Sequence, residues 1–143
     1  MSGATYLDVT DLIEFLQRSE SVSGVQRVIA QTSPFLLEDP EHATTPVVLD
    51  RGRGTFVALS SDETEILIRQ GARSESHVSR DQLSATAANC LARAATAQPV
   101  YIDHDSVMVY LGAVWISDAL MMAARDAHVC GARSVYLLYD LTP

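Results

Sequence analysis

The sequence predicts an α/β domain whose mostly parallel sheet is flanked by helices, and three observations carry that prediction. Residues 107–111 (VMVYL) and 134–139 (SVYLLY) are almost unbroken apolar runs, the pattern of strands buried on both faces. Residues 116–128 between them have helical spacing, so 107–139 reads as one right-handed strand–helix–strand crossover. Residues 46–49 and 55–59 are β-rich runs bracketing DRGRG, which predicts a β-hairpin.

Each element follows from local chemistry. Residues 6–9 (YLDV) form a short first strand running into a polar turn. In TDLIEFLQRS, Leu12, Ile13, Phe15 and Leu16 fall on one helical face. A polar break over 19–23 precedes a second helix carrying Val25, Val28 and Ile29, which Pro34 should end or kink. In the hairpin turn, Gly52 and Gly54 are both expected at positive φ. Ser60 with Glu63 is a capping box for a helix stopping near Gly71; Ser79 with Gln82 opens a second, alanine-rich helix ending before Pro99. Gly131 should close the helix at 116–128. No repeat or low-complexity linker divides the chain, so residues 1–143 read as one Rossmann-like domain.

Composition narrows the partners. A formal net charge of −8 is the wrong sign for a nucleic-acid-coating protein, though one helix terminus and one arginine can still hold a small anion. Cys90 and Cys130 stand in unrelated segments and read as small buried hydrophobes in a reducing compartment, not as a disulfide or metal site. His42, His77, His104 and His128 are scattered without ligand spacing, so no metal is expected. DHD at 103–105 precedes a strand and reads as a solvated loop. No basic region followed by an apolar run opens the chain, and no apolar run is long enough for a membrane span; the expectation is a cytoplasmic protein. GxSxG, P-loop and GxGxxG patterns are absent.

The stretch VSGVQRV at 22–28 is the most informative. Ser23 capping the helix and Gln26 reaching back account for those two residues. Gly24 is left over, because glycine gains nothing in a first helical turn. It would let a ligand approach the free N–H groups of a helix N-terminus, where the dipole favours an anion. From the residues alone both readings stand.

LDVTDLIEFLQRSESVSGVQRV resembles the opening of bacterial glycosyltransferases of the GT-B fold, in the retaining, glycogen-synthase-related superfamily: a strand ending "DvsdL", then a "GIqRV" helix. DSVMVYLGAVWISDALMMAARDAHVCGARSVYLLYDLTP is similar to that family's strand ending "lGa-W", helix, glycine, and strand ending "hDl-P". The two matches cover about half of the chain; residues 40–100 agree only in outline.

The resemblance implies the N-terminal, acceptor-side domain of a nucleotide-sugar-dependent, hexosyltransferase-like enzyme of bacterial polysaccharide or glycan synthesis. Ser23, Gly24, Val25 and Arg27 would face the donor diphosphate; Asp8, Gly112, Trp115, Tyr139 and Asp140 would line the acceptor side. Arg27 could equally be a surface arginine or pair with Asp8 or Asp11, and Trp115 could cap the core. Tyr139 stands where the family commonly has histidine. The sequence given stops where that domain would continue, so the donor-binding domain is expected to be missing and the isolated chain inactive. No cofactor is implied beyond the nucleotide-sugar as substrate. The partners implied are a glycan or lipid-linked acceptor and the missing domain or a partner chain. The alternative is a non-catalytic α/β module that binds another protein or forms a homodimer through an uncovered sheet edge.

Overall fold

A computed structural model describes residues 3–18, 24–71 and 77–138. The chain runs β1 (Thr5–Asp8), α1 (Thr10–Arg18), α2 (Gly24–Leu37), β2 (Thr44–Asp50), β3 (Thr55–Ala58) and α3 (Ser61–Glu63), which continues as a π-helix (Thr64–Gln70). Then follow α4 (Arg80–Ala94), β4 (Val107–Tyr110), a 3-10 turn (Val114–Ile116), α5 (Asp118–Val129) and β5 (Arg133–Tyr136). The five strands lie in the order β3-β2-β1-β4-β5, with only β3 antiparallel to its neighbour. This is the mostly parallel, helix-flanked, Rossmann-like sheet expected.

Strand alternation sorts the core into two layers. Leu7, Val9, Val48 and Val57 meet α1, α2, α4 and the π-helix through Leu12, Ile13, Ile29, Leu67, Ile68, Ala87 and Cys90. Tyr6, Val47, Leu49, Phe56, Met108 and Tyr110 turn the other way, onto Leu120, Ala123, Ala124 and Ala127 of α5. The alanines let α5 lie close to the sheet.

Capping at Ser60 is reciprocal as expected: Ser60 Oγ accepts from the Glu63 amide at 3.1 Å, and Glu63 Oε2 accepts from the Ser60 amide at 2.7 Å. At Ser79 only the forward bond from the Gln82 amide forms. Gly131 adopts φ 94° at the end of α5 and Gly54 adopts φ 67° in the hairpin.

Four expectations are corrected. Gly52 does not need positive φ; its amide instead donates to Asp50 Oδ1 at 3.1 Å in a side-chain-held turn. Of the expected end or kink at Pro34, the end does not occur: α2 continues to Leu37, and although the proline lacks an N–H, its carbonyl still accepts from the Glu38 amide at 3.1 Å. Cys130 is exposed, as the residue capping the C-terminus of α5, whereas Cys90 is buried and its thiol is pushed up to about 12 by burial. β5 is an edge strand with Val135 51% and Tyr136 46% exposed, not a strand covered on both faces.

Candidate functional site

The order in which strands are added reverses between the parallel β1 and β4: the chain leads from β1 to β2 and β3 on one side, and then to β4 and β5 on the other. In open α/β sheets the crevice for a ligand opens beyond the carboxyl ends of strands at such a switch point. The residues gathered there come from the turns after β1, β2 and β4 and from the first turn of α2.

Asp8 ends β1 but lies under the surface, 1% exposed. Its Oδ1 accepts from the Thr10 amide at 3.1 Å and from the Thr10 hydroxyl at 2.5 Å, and that hydroxyl accepts from the Leu49 amide at 2.8 Å. Burial, abetted by Asp11 and Glu14 and opposed by the Thr10 bonds, raises its carboxyl to about 6. Asp8 therefore fixes the β1–α1 turn to β2 and lies buried beneath the crevice edge. The Tyr110 hydroxyl, opposite Asp8 across the β1–β4 register, is buried with no hydrogen-bond partner among the described residues. Its phenol is raised first by burial and then by the Asp8 charge.

Asp11 is the hub of the surface layer. Gln26 Nε2 donates to both carboxylate oxygens at 3.3 Å, which ties the first turn of α2 to the start of α1. Gln26 thus faces Asp11; the expected capping partner, Ser23, lies outside the described residues. Burial raises the Asp11 carboxyl, against the bonds from Gln26 and the Ala113 amide. Gly112 packs closely here: an added Cβ would crowd Asp11, standing 3.1 Å from its Cβ, and would lie at ordinary contact distance from Ile29 Cδ1. The glycine after β4 thereby lets α1 and α2 close over the same sheet edge.

A second arm is built on Arg51, the first residue after β2. Its guanidinium grips Glu14 with Nε–Oε1 at 2.5 Å and Nη2–Oε2 at 2.8 Å, and Nη1 donates to Ser117 Oγ at 2.8 Å. Ser117 also caps α5 by accepting from the Leu120 amide. A cavity of about 260 Å³ opens among Thr10, Asp11, Glu14, Arg51, Ala113 and Ser117. The other turn arginine, Arg53, is occupied by Asp50 and by the Ala94 and Ala97 carbonyls at the end of α4.

The remaining expected residues divide. Gly24 is exposed and a Cβ there would meet nothing within 4 Å, so neither close packing nor backbone conformation requires glycine. Arg27 is exposed and pairs with neither Asp8 nor Asp11, while Val25 is half-buried against the core. Trp115, 41% exposed, stands apart from this crevice, in an apolar groove of about 430 Å³ with Met121, Tyr136 and Leu138. Ser23, Tyr139 and Asp140 lie outside the described residues. DHD at 103–105 is a loop in which Asp103 accepts from Ser106 and from the Asp105 amide.

Sequence reasoning did not select Asp11, Glu14, Arg51 or Ser117. The available signal was positional: Arg51 directly follows a strand, and Ser117 and Asp11 open helices, so all three occupy the carboxyl edge. Among the described residues no group of His, Cys, Asp and Glu is arranged to hold a metal, and no helix is long and apolar enough to cross a membrane. No protein-family model, curated protein or solved structure matches this chain.

Proposed function

We propose that this chain supplies the acceptor side of a nucleotide-sugar-dependent glycosyl-transfer cleft of the GT-B type, with the donor held mainly by a second domain or partner chain. The observation that carries this reading is the anchoring of the α2 tip to the switch-point edge through Gln26 and Asp11, with Gly24 exposed and Arg27 beside it making no ion pair among the described residues.

The edge has two electrostatic halves. The α2 tip offers the positive end of a helix dipole and the exposed guanidinium of Arg27, which suit a diphosphate. The cavity between α1 and Arg51 sets two carboxylates, Asp11 and Glu14, against two guanidiniums, Arg18 and Arg51, a charge-balanced lining able to accept hydrogen bonds from sugar hydroxyls and donate to their oxygens. A donor phosphate on one half and an acceptor on the other would be brought together by positioning, with charge developing on the leaving diphosphate met by the helix end and Arg27.

Titration of 15N-labelled protein with UDP-glucose tests the proposal. Shifts centred on the amides of Gly24 to Arg27, weak and millimolar because the second domain would carry most donor contacts, are expected; Arg27→Ala should remove them. Tight binding by this chain alone, or shifts confined to the opposite edge of the sheet, would overturn it. The exposed apolar surface of α5 and β5 favours the alternative of a protein-interaction module, which predicts no response to any nucleotide-sugar.

A further inference from the structure

We propose that the outer face of α5 is a self-complementary contact through which two copies of this chain pair, each α5 antiparallel to its counterpart. This goes beyond the sugar-transfer reading and does not depend on it.

The inner face of α5 is Leu120, Ala123, Ala124 and Ala127, buried on the sheet. The opposite face of a helix lying on a core is ordinarily polar. Here it carries Met121 at 48%, Met122 at 63% and Val129 at 74% exposure. Of the large apolar side chains exposed among the described residues, all but Phe35 and Tyr101 lie on α5, on β5 or in the turns beside them. The apolar exposure is therefore concentrated on one side of the molecule.

The charges on this face say what covers it. Asp118 and Arg125 are both exposed, and neither makes an ion pair among the described residues. The helical neighbours of Arg125 at three and four residues are Met121, Met122, His128 and Val129, none of them acidic; those ahead of Asp118 are Met121 and Met122. Neither charge thus has an opposite charge at helical spacing on its own helix.

An antiparallel pair with a two-fold axis midway between Met121 and Met122 resolves this arrangement. Residues equidistant from the axis oppose one another, so Arg125 meets Asp118 of the second copy, twice, and Met121 meets Met122. The result is an apolar centre with a charged rim, built by one isologous surface. Sliding the axis one turn toward the N-terminus would set Asp118 against Asp118; sliding it one turn toward the C-terminus would bring Arg125 beside its own copy and the exposed Asp126, and would carry Met121 and Met122 away from the centre. The methionine pair and the charges together therefore favour the register centred between Met121 and Met122.

A single pair of helices, each roughly 18 Å long, buries less than the roughly 800 Å² per partner of a standard interface. The dimer should accordingly be weak, with a dissociation constant on the order of tens of micromolar. Sedimentation velocity across a concentration series measures it. Asp118→Arg alone and Arg125→Asp alone should each weaken association about tenfold or more, through two like-charge contacts. An equimolar mixture of the two variants should restore it, because one chain then presents two arginines and the other two aspartates. Met122→Glu should abolish the dimer with an unchanged circular dichroism spectrum, and it serves if Asp118→Arg disturbs the first turn of α5. A wild-type chain monomeric up to about 1 mM would overturn the proposal. So would a mixture associating no better than its separate components.

Discussion

At the residue scale, Asp8 carries a pH signature. An ionised carboxylate in unfolded chain titrates near 3.8, whereas the buried Asp8 titrates at about 6. Between those values the folded chain holds a proton that the unfolded chain has released, so stability falls as pH rises through the window and the loss is complete above it. A displacement of that size corresponds to roughly 3 kcal/mol at most. Asp8→Asn keeps an oxygen for the Thr10 bonds and carries no charge. The variant should lose stability less steeply from pH 4 to pH 7 than the wild type, and urea denaturation at several pH values measures the difference. A wild-type chain with no such extra slope would show that Asp8 is solvated on the folded chain. Two glycines make an opposite pair at the same scale. Gly24→Ala should be neutral or stabilise by about 0.5 kcal/mol, since nothing stands near its Cβ. Gly112→Ala should cost about 1 kcal/mol, because its Cβ would press on Asp11 Cβ at 3.1 Å, a closer approach than ordinary contact. Thermal unfolding of both variants separates a glycine that packing requires from one that packing does not explain.

At the scale of elements, one side chain couples three of them. Glu63 closes the capping box of α3 and takes two hydrogen bonds from Arg93 of α4, at 2.8 Å and 2.6 Å. Arg93 also donates to the Ala58 carbonyl at the end of β3. Burial alone would raise the Glu63 carboxyl, but the Arg93 and Ser60 bonds more than offset it and hold it below the ordinary range. Its contribution is present above the ordinary carboxylate pKa and is lost as pH falls through the lower folded value. Glu63→Ala should cost about 2–4 kcal/mol at pH 7, because it leaves Arg93 and the Ser60 amide without their acceptor, and less at pH 3. Denaturant melts at the two pH values check both the size and the sign. Such elements were legible in sequence wherever the cause is local. Ser60 and Glu63 are three residues apart, Leu12 and Ile13 mark the face of α1, and the DRGRG turn marks the hairpin. The placement of β5 was not legible: SVYLLY has the composition of a central strand, and only the sheet order makes it an edge. The crevice failed for the same reason, since Glu14, Arg51 and Ser117 meet from three turns distant in sequence, and no local spacing announces that meeting.

At the scale of the whole molecule, charge and apolar exposure are segregated. The charged crevice sits over the middle of the sheet, while methionine, valine and tyrosine surface lies toward the β5 edge. Neighbouring aromatic rings mark the passage between the two: Tyr110 stacks on Tyr136 with centroids 5.0 Å apart, one ring buried and the other half-exposed. The two cysteines also differ in access. Cys130 is in solvent at the end of α5, whereas Cys90 has no exposed surface and lies in the layer joining α4 to the sheet. A thiol-specific chromophore should therefore modify one equivalent quickly in the native state. The second equivalent should react only as fast as the α4 layer opens, so its rate is a clock for sub-global unfolding that requires no engineered label. Two thiols reacting together at the fast rate would mean that α4 detaches in ordinary buffer, and that the interior next to the crevice is breached long before the molecule melts.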